Sequence, residues 1–574
     1  MNELMPRLLR HLPELQRLVE LHFWPLWFSL TATAAALAGY FFHRPLGSKE
    51  PLRHAAAERG FRWSPRTIVP VCLLAVFIAS YCAVVLMGNA FVWYDDSNFT
   101  QFTLRGLNAP LQMWTQGGRF FPLCLQEYSL IRHFTSTVTG YYAFSAVQVV
   151  IFAGIVSVLD DRLSYGQRVF LAVLALAAPA TVASFLDLAL PERDLFLLLA
   201  CLALLIKWFD RTYAARWAVG VAVCVQCLLF TKEPMFFFLL AFATSRILIR
   251  RWNSSGSGWR DSGDRLDLLI AALSMVYIVI YGVVMTGRSK AEYLVNVHVP
   301  WWQAAGYYLQ IDWLMWIFSV TAVVRVYRIL RRKAAPDLLW DGLACGGLTY
   351  FAAFIAMGLA KVYYMCPVDL IAVLYLGHLS FSSWRTMRSG MRFAAVAAGA
   401  AIVCQAIQLS PYAVLERKRV AHVKAAIAGL IADRHRRDPA QVLQLYFPYT
   451  DIYVLEEFLS YLNYLGLPVE REHDSLSSGR IEVFSARKPV TGKCLRYEFI
   501  CRAGPPGGER LAIVLPDDPV APQERAAYKR IEQELEALDS RVHPPDWLSG
   551  EKYAGYIGSK IPQGFRWLRT RRRE

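Results

Sequence analysis

Apolar runs of about 20 residues, the length a helix needs to cross a hydrocarbon core, recur through the first 410 residues, parted by short polar segments. They predict spans near 23–42, 68–88, 138–158, 168–187, 194–209, 215–231, 235–249, 266–286, 305–324, 339–359, 367–384 and 392–409. Those near 194–209 and 235–249 are short and borrow flanking residues. Past residue 412 the long runs stop, charge rises and the period changes. Helices are expected at 415–434, 450–465 and 521–539, with strands at 442–447, 480–486, 494–501 and 510–515. The expected fold is an α-helical polytopic membrane protein of about 11–12 transmembrane helices with a C-terminal α/β soluble domain. Residues 1–67 form an N-terminal segment with the first span and a basic loop, and 68–411 form the transmembrane module. That module carries the outer loop 89–137, and 412–574 form a C-terminal domain large enough for its own core.

The leading segment MNELMPRLLRHLPELQRLVELH has amphipathic helical spacing and suits a bilayer interface. It has mixed charge and no small-residue cleavage site, so no cleavable signal peptide is expected. The chain has 574 residues, 55% of them hydrophobic, with a net charge of +16. In a chain with so many spans this excess belongs to loops that set topology, and no nucleic-acid partner is expected. The 11 cysteines fall mostly in apolar segments, where Cys behaves as a small hydrophobe. Cys494 and Cys501 bracket a strand at odd spacing, which puts them on opposite faces and unpaired with each other.

Basic residues alternate between loops. One set carries Arg44, Lys49, Arg53, Arg59, Arg62 and Arg66, then Arg162, Arg168, Lys207, Arg211 and Arg216. It continues with Arg246, Arg250, Arg251, Arg260 and Arg265, with Arg325, Arg328, Arg331, Arg332 and Lys333, and with Arg385, Arg388 and Arg392. The alternate loops are poor in such residues, so the first set is assigned to the cytoplasm. Twelve spans then place the N-terminus outside. Every motif-like polar cluster falls on the opposite, extracytoplasmic face. These clusters are Asp95, Asp96 and Arg119; Glu192, Arg193 and Asp194; Lys232 and Glu233; the loop from Arg288 to Trp302; and Lys361 to Cys366.

The stretch 91–122, FVWYDDSNFTQFTLRGLNAPLQMWTQGGRFFP, sets adjacent acids among aromatics just past a span, where charge is costly unless used. Adjacent carboxylates raise each other's proton affinity, so Asp95 or Asp96 suits a general base. Arg119 can grip an anionic group such as a phosphate through its planar fork, or is an interfacial arginine. Glu192, Arg193 and Asp194 open a span, where acids also serve the helix terminus. Lys232 and Glu233 form either a structural ion pair or a substrate contact. Lys361, followed by Tyr363 and Tyr364, meets phosphate or lipid headgroups. Arg288, His298, Trp301 and Trp302 share the longest late outer loop, where aromatics stack on sugars or form the interfacial belt. Asp187 and Asp312 are acids near the outer ends of spans, and Asp160–Asp161 reads as a solvated cytoplasmic loop.

A first outer loop opening on Asp95–Asp96 and reaching Arg119, with a Lys232–Glu233 pair at the outer end of a later span, resembles the polytopic GT-C glycosyltransferases. That class includes protein O-mannosyltransferases, lipid A aminoarabinose transferases and bacterial arabinosyl- and glucosyltransferases. The resemblance covers roughly residues 68–410. It implies a GT-C-like catalytic module in a bacterial inner (plasma) membrane, with its active site facing the periplasm or cell exterior. It implies inverting transfer from a polyprenyl-phosphate-linked sugar to an acceptor glycan, lipid or protein. Asp95 and Asp96 would then be catalytic, and Arg119, Arg193, Lys232 and Lys361 would meet the donor phosphate. Glu192, Glu233, Arg288, His298, Trp301 and Tyr363 would contact substrate. No Cys/His cluster or phosphate-binding loop is present in the sequence, and metal use stays open because adjacent acids can hold a divalent ion. The competing readings are a transporter or flippase of lipid-linked sugars and a structural component of an envelope-glycan assembly complex.

Overall fold

The computed structural model describes residues 4–43, 65–90, 99–113, 119–253, 262–286, 299–384 and 386–437. Beyond these it describes 443–447, 461–462, 464–466, 469–471, 481–485, 497–503 and 509–514. Two compact units divide the chain: 1–83, 111–126 and 144–407 in one, and 84–110, 127–143 and 408–574 in the other.

The first unit is a helical bundle. Its helices are α1 (Leu4–Leu21), α2 (Phe23–His43), α3 (Pro65–Met87), α4 (Gln126–Ile131), α5 (Val138–Leu159), α6 (Tyr165–Ala177), α7 (Pro179–Leu186), α8 (Glu192–Thr212) and α9 (Ala215–Thr231), α3, α4 and α5 having residues in both units. It continues with α10 (Met235–Asn253), α11 (Ser262–Met285), α12 (Trp301–Ile311), α13 (Trp313–Leu330), α14 (Leu338–Ala356), α15 (Cys366–Ser382) and the first half of α16 (Ser389–Arg437). Eight of the described helices are long and apolar enough to cross a bilayer, or nine if the bent pair α6–α7 counts as one span. The rest of the expected twelve spans fall on α8 and α10, which carry charged ends, and on α9, which has 17 residues.

Local chemistry sets where these helices break. Pro179 cannot continue α6, so the chain bends by 64° there, and the Asp369 carboxylate accepts the Ala180 N–H that starts α7. The span expected at 305–324 is instead two helices, because Asp312 leaves helical geometry (φ −133°, ψ 67°) between α12 and α13. The separate helix expected at 415–434 is the continuation of α16, which runs unbroken from Ser389 to Arg437. Nothing in 410–414 stops it, since Pro411 removes one backbone donor without ending the helix.

Helix α10 packs on α14 and α11, α2 on α9, and α8 on α9. Gly346 lets α14 approach α10 closely, since a Cβ there would come within 2.8 Å of the Phe238 ring. Helix α8 buries a broad apolar face that includes Leu195, Phe196, Leu199, Leu202 and Phe209, with its other side half-buried. The amphipathic α1, expected from its pattern to suit an interface, packs on α11. Its buried Gln16 donates to the carbonyls of Val283 (2.9 Å) and Thr286 (2.8 Å), which end α11 without helical partners.

The basic ends of the helices are pinned by ion pairs. Fully buried Arg246 contacts Asp210 at 2.8 Å and Asp267 at 2.9 Å, Arg250 reaches Asp264 at 3.2 Å, and Arg325 reaches Asp341 at 2.5 Å. Arg162 meets Asp337 at 2.6 Å, and Lys207 meets Asp161 at 2.8 Å. Asp160 is not a solvated loop acid. It is buried, with His378 Nδ1 2.6 Å from its carboxylate.

In the second unit Phe99 is buried, edge-on to Tyr128 (4.6 Å) and Tyr141 (5.6 Å). Tyr142 donates to the Ala90 carbonyl at 2.9 Å, and Arg417 donates to that carbonyl and to the Tyr142 hydroxyl. Five strands, β1 (Leu443–Phe447), β2 (Val469–Arg471), β3 (Ile481–Ser485), β4 (Tyr497–Ala503) and β5 (Glu509–Val514), form a sheet in the order β2-β3-β1-β4-β5. All neighbours are parallel except β4 and β5. Four of these strands fall where alternation placed them; β2 is additional. Cys494 lies outside the described residues, as does most of the expected helix at 450–465 and all of that at 521–539.

Candidate functional site

The end of the bundle away from the buried arginine network carries two ion pairs side by side. Lys232 and Glu233 occupy the turn between α9 and α10, where the chain leaves helical geometry at Lys232 (φ −156°, ψ 128°). Neighbouring residues there point apart, and each finds a partner from another element. Lys232 Nζ lies 2.7 Å from Glu192, on the first turn of α8, where a carboxylate also suits the helix N-terminus. The Arg119 guanidinium grips Glu233 with two nitrogens, at 2.9 and 3.4 Å, and the Phe120 N–H donates to the same carboxylate at 3.0 Å.

The segment after Arg119 is laid against α9 and α11. Leu123 N–H donates to the Phe230 carbonyl, and the buried Tyr277 hydroxyl donates to the Phe120 carbonyl, both at 3.0 Å. Phe121 joins the two pairs: Arg119 lies 4.4 Å and Lys232 5.8 Å from its ring centre. Tyr364 is 5.0 Å from Lys232 on another side. Burial pushes the Glu233 carboxyl up, but the charge and hydrogen bond of Arg119, followed by Lys232, outweigh it and hold it below the ordinary glutamate range.

Lys361 is different in kind. Its side chain is exposed and makes no ion pair among the described residues. Its backbone is fixed instead: the Tyr308 hydroxyl donates to the carbonyls of Leu359 (2.8 Å) and Lys361 (3.2 Å). Gly358 makes this loop possible with φ +68° and its carbonyl accepting from Val299; a Cβ there would meet the Val299 oxygen at 2.0 Å.

The structure therefore brings together Arg119, Glu192, Lys232 and Glu233, four of the residues singled out from sequence, with Tyr364 against Lys232. Tyr363 is half-buried beside Tyr364 at 4.6 Å, and Trp301 is 62% exposed at the start of α12. Arg193 is fully buried, its guanidinium 3.5 Å from the Asp187 carbonyl and 3.7 Å from Asp194, which also accepts from Gln148. Asp95, Asp96, Arg288 and His298 lie outside the described residues. Among the described residues no three His, Cys, Asp or Glu side chains converge as metal ligands. Sequence reading missed Phe121, Tyr277 and Tyr308, because an aromatic near a span end looks the same whether it packs on a cation or faces lipid. It flagged Asp312 but not its neighbour Asp369; both are buried, and they face one another near the starts of α13 and α15.

Neither a family model nor a curated protein matches the sequence. Among solved structures, ArnT from Cupriavidus metallidurans bound to undecaprenyl phosphate is similar at 13% identity and a TM-score of 0.43, over 70% of this chain and 86% of that one. The same protein in the apo state is similar at 13% identity and a TM-score of 0.39, over 68% of this chain and 85% of that one.

Proposed function

We propose that this chain is a membrane glycosyltransferase that moves a sugar from a polyprenyl-phosphate donor to an acceptor glycan, lipid or protein outside the cytoplasm, with inversion. The observation that carries the reading is the clustering of Arg119, Lys232, Glu192 and Glu233 at one end of the bundle. Four charged side chains are costly to bury at a membrane protein's edge unless that end handles charge. A lipid phosphate is an anion that must stay at the membrane boundary, and a leaving phosphate needs fixed positive charge close by. Arg119 and Lys232 are held in place by their carboxylate partners, so little reorganisation is needed when the phosphate departs. Exposed Lys361 is the cation through which an arriving phosphate is first recruited. Trp301 and Tyr363 are proposed to meet the sugar. Asp95 or Asp96 as general base rests on sequence alone, and Asp95 is favoured because it comes first after the span. Arg193 is assigned a structural role, given its partners Asp187 and Asp194.

A transporter would place charge near the bilayer midplane in broken helices. Asp312 and Asp369 sit at broken or starting helices, but helix α13 rises about 27 Å from Asp312 to its basic end. That is nearly the full hydrocarbon thickness, so the pair lies near a boundary and not at the midplane.

The test separates binding from folding. Lys361→Ala removes an exposed cation and leaves no buried partner behind. It should raise KM for a lipid-phosphate-linked sugar by roughly tenfold with the melting temperature unchanged. Arg119→Ala leaves Glu233 buried and unpaired, so it should lower both activity and stability. Arg119→Lys should recover stability more than activity, because it restores charge without the fork. Unaltered donor kinetics in both Lys361→Ala and Arg119→Lys would sink the assignment of this cluster to the phosphate.

A further inference from the structure

A second candidate site lies at the opposite, basic end of the same unit. Helices α6, α13, α15 and the first half of α16 enclose an apolar groove of about 680 Å³, well within the range of lipid- and drug-sized sites. Its shaft is lined by Leu174, Ile317, Val373, Ala395 and Ile402, with no charge along its length. Its mouth is lined by Arg325, Arg328 and Trp384. Arg325 is committed to Asp341 at 2.5 and 3.0 Å. Arg328 is exposed, as is Arg388, which stands between the lining residues Met387 and Met391; neither makes an ion pair among the described residues. The mouth therefore sets the uncommitted Arg328 guanidinium with an indole of the kind that sits at headgroup level, and exposed Arg388 follows the lining Met387 in sequence.

We propose that this groove is a specific site for an anionic glycerophospholipid of the leaflet that meets the basic ends, its acyl chain in the shaft and its phosphate between Arg328 and Arg388. An uncharged shaft excludes a free phosphate as the natural occupant, because phosphate would use only the mouth. A zwitterionic lipid fills the shaft equally well but brings a cation toward two arginines that have no acid to spare. The site is separate from the cluster around Arg119 and does not depend on the glycosyltransferase reading.

Native mass spectrometry of the full chain released from detergent tests this, with phosphatidylglycerol or phosphatidylcholine added at equal concentration. The parent should retain phosphatidylglycerol roughly tenfold more than phosphatidylcholine. The double variant Arg328→Gln/Arg388→Gln should lose that preference while unfolding at the parent's temperature, since both side chains are exposed. Ala395→Trp, which fills the shaft, should reduce retention of both lipids. Equal retention of the two lipids by the parent would overturn the proposal, as would unchanged phosphatidylglycerol retention in the double variant. Displacement of the bound lipid by an equal concentration of a polyprenyl phosphate would also overturn it, by making the groove a carrier-lipid site.

Discussion

Glu233 shows how single residues set the behaviour of the candidate site. Its carboxyl is buried, which raises its proton affinity, yet Arg119 at 2.9 Å and neighbouring Lys232 lower it further than burial raises it. A folded-state value below the unfolded one contributes stability that is complete above the ordinary glutamate range and is lost as pH falls through the lowered native value. Thermal unfolding in detergent from pH 7 to pH 3 should therefore show a melting temperature that falls below about pH 4, and Glu233→Gln should flatten part of that fall. The Asp160 carboxyl, which burial raises but His378 and Arg162 hold down, remains in both proteins and keeps some acid sensitivity. An acid limb identical in parent and variant would show that the Arg119 pair does not set it. The sequence offers Lys232 and Glu233 as a structural ion pair or a substrate contact, and the structure gives each a partner elsewhere in the chain. Lys232 and Glu233 invite pairing with each other, but adjacent side chains in an extended turn diverge, so their partners come from 113 or 114 and 40 positions away: Phe120 and Arg119 for Glu233, Glu192 for Lys232. Only the tertiary fold supplies that information.

Elements were legible where an apolar period was long and unbroken, and less so where one residue redirects the chain. The runs near 138–158 and 266–286 became α5 and α11 almost as expected, because a predominantly apolar run of about 20 residues has few alternatives. Asp312 and Pro179 each divide a run that composition alone reads as continuous. The amphipathic N-terminal segment was legible as a helix, but its tertiary role was not, because a lone glutamine carries no pattern. Gln16 closes α11 by donating to two terminal carbonyls. Gln16→Leu should destabilise the protein by about 1–3 kcal/mol, since it leaves partly buried carbonyls without partners. Gln16→Glu should cost more than Gln16→Leu, because it also places negative charge at a helix C-terminus. Chemical denaturation of the three proteins at pH 7 measures both differences. If Gln16→Glu were as stable as the parent, the amide would not be capping α11.

At the scale of the helical unit, charge separates by end. One end gathers Arg246, Arg250, Arg325, Arg162 and Lys207, matched by Asp210, Asp267, Asp341, Asp337 and Asp161. The other carries the Arg119 and Lys232 pairs and exposed Lys361. Counting basic residues predicted the division into two ends, but not that many of the basic residues are neutralised by buried partners. The two ends do not by themselves say which one faces the cytoplasm, so the sidedness needs its own test. The exposed positions Trp302 and Thr386 belong to the two ends, Trp302 beside the loop that Tyr308 ties to Lys361 and Thr386 beyond the basic end of α15. In a cysteine-free background, Trp302→Cys should react with a membrane-impermeant maleimide in intact cells, and Thr386→Cys only after permeabilisation. Both substitutions replace exposed side chains, so folding should persist. The reverse pattern would put the Arg119 cluster on the cytoplasmic side. A sugar carried on the outer face of the membrane by a polyprenyl phosphate could not then reach it, and the transfer proposed here would have to give way to chemistry fed from the cytoplasm.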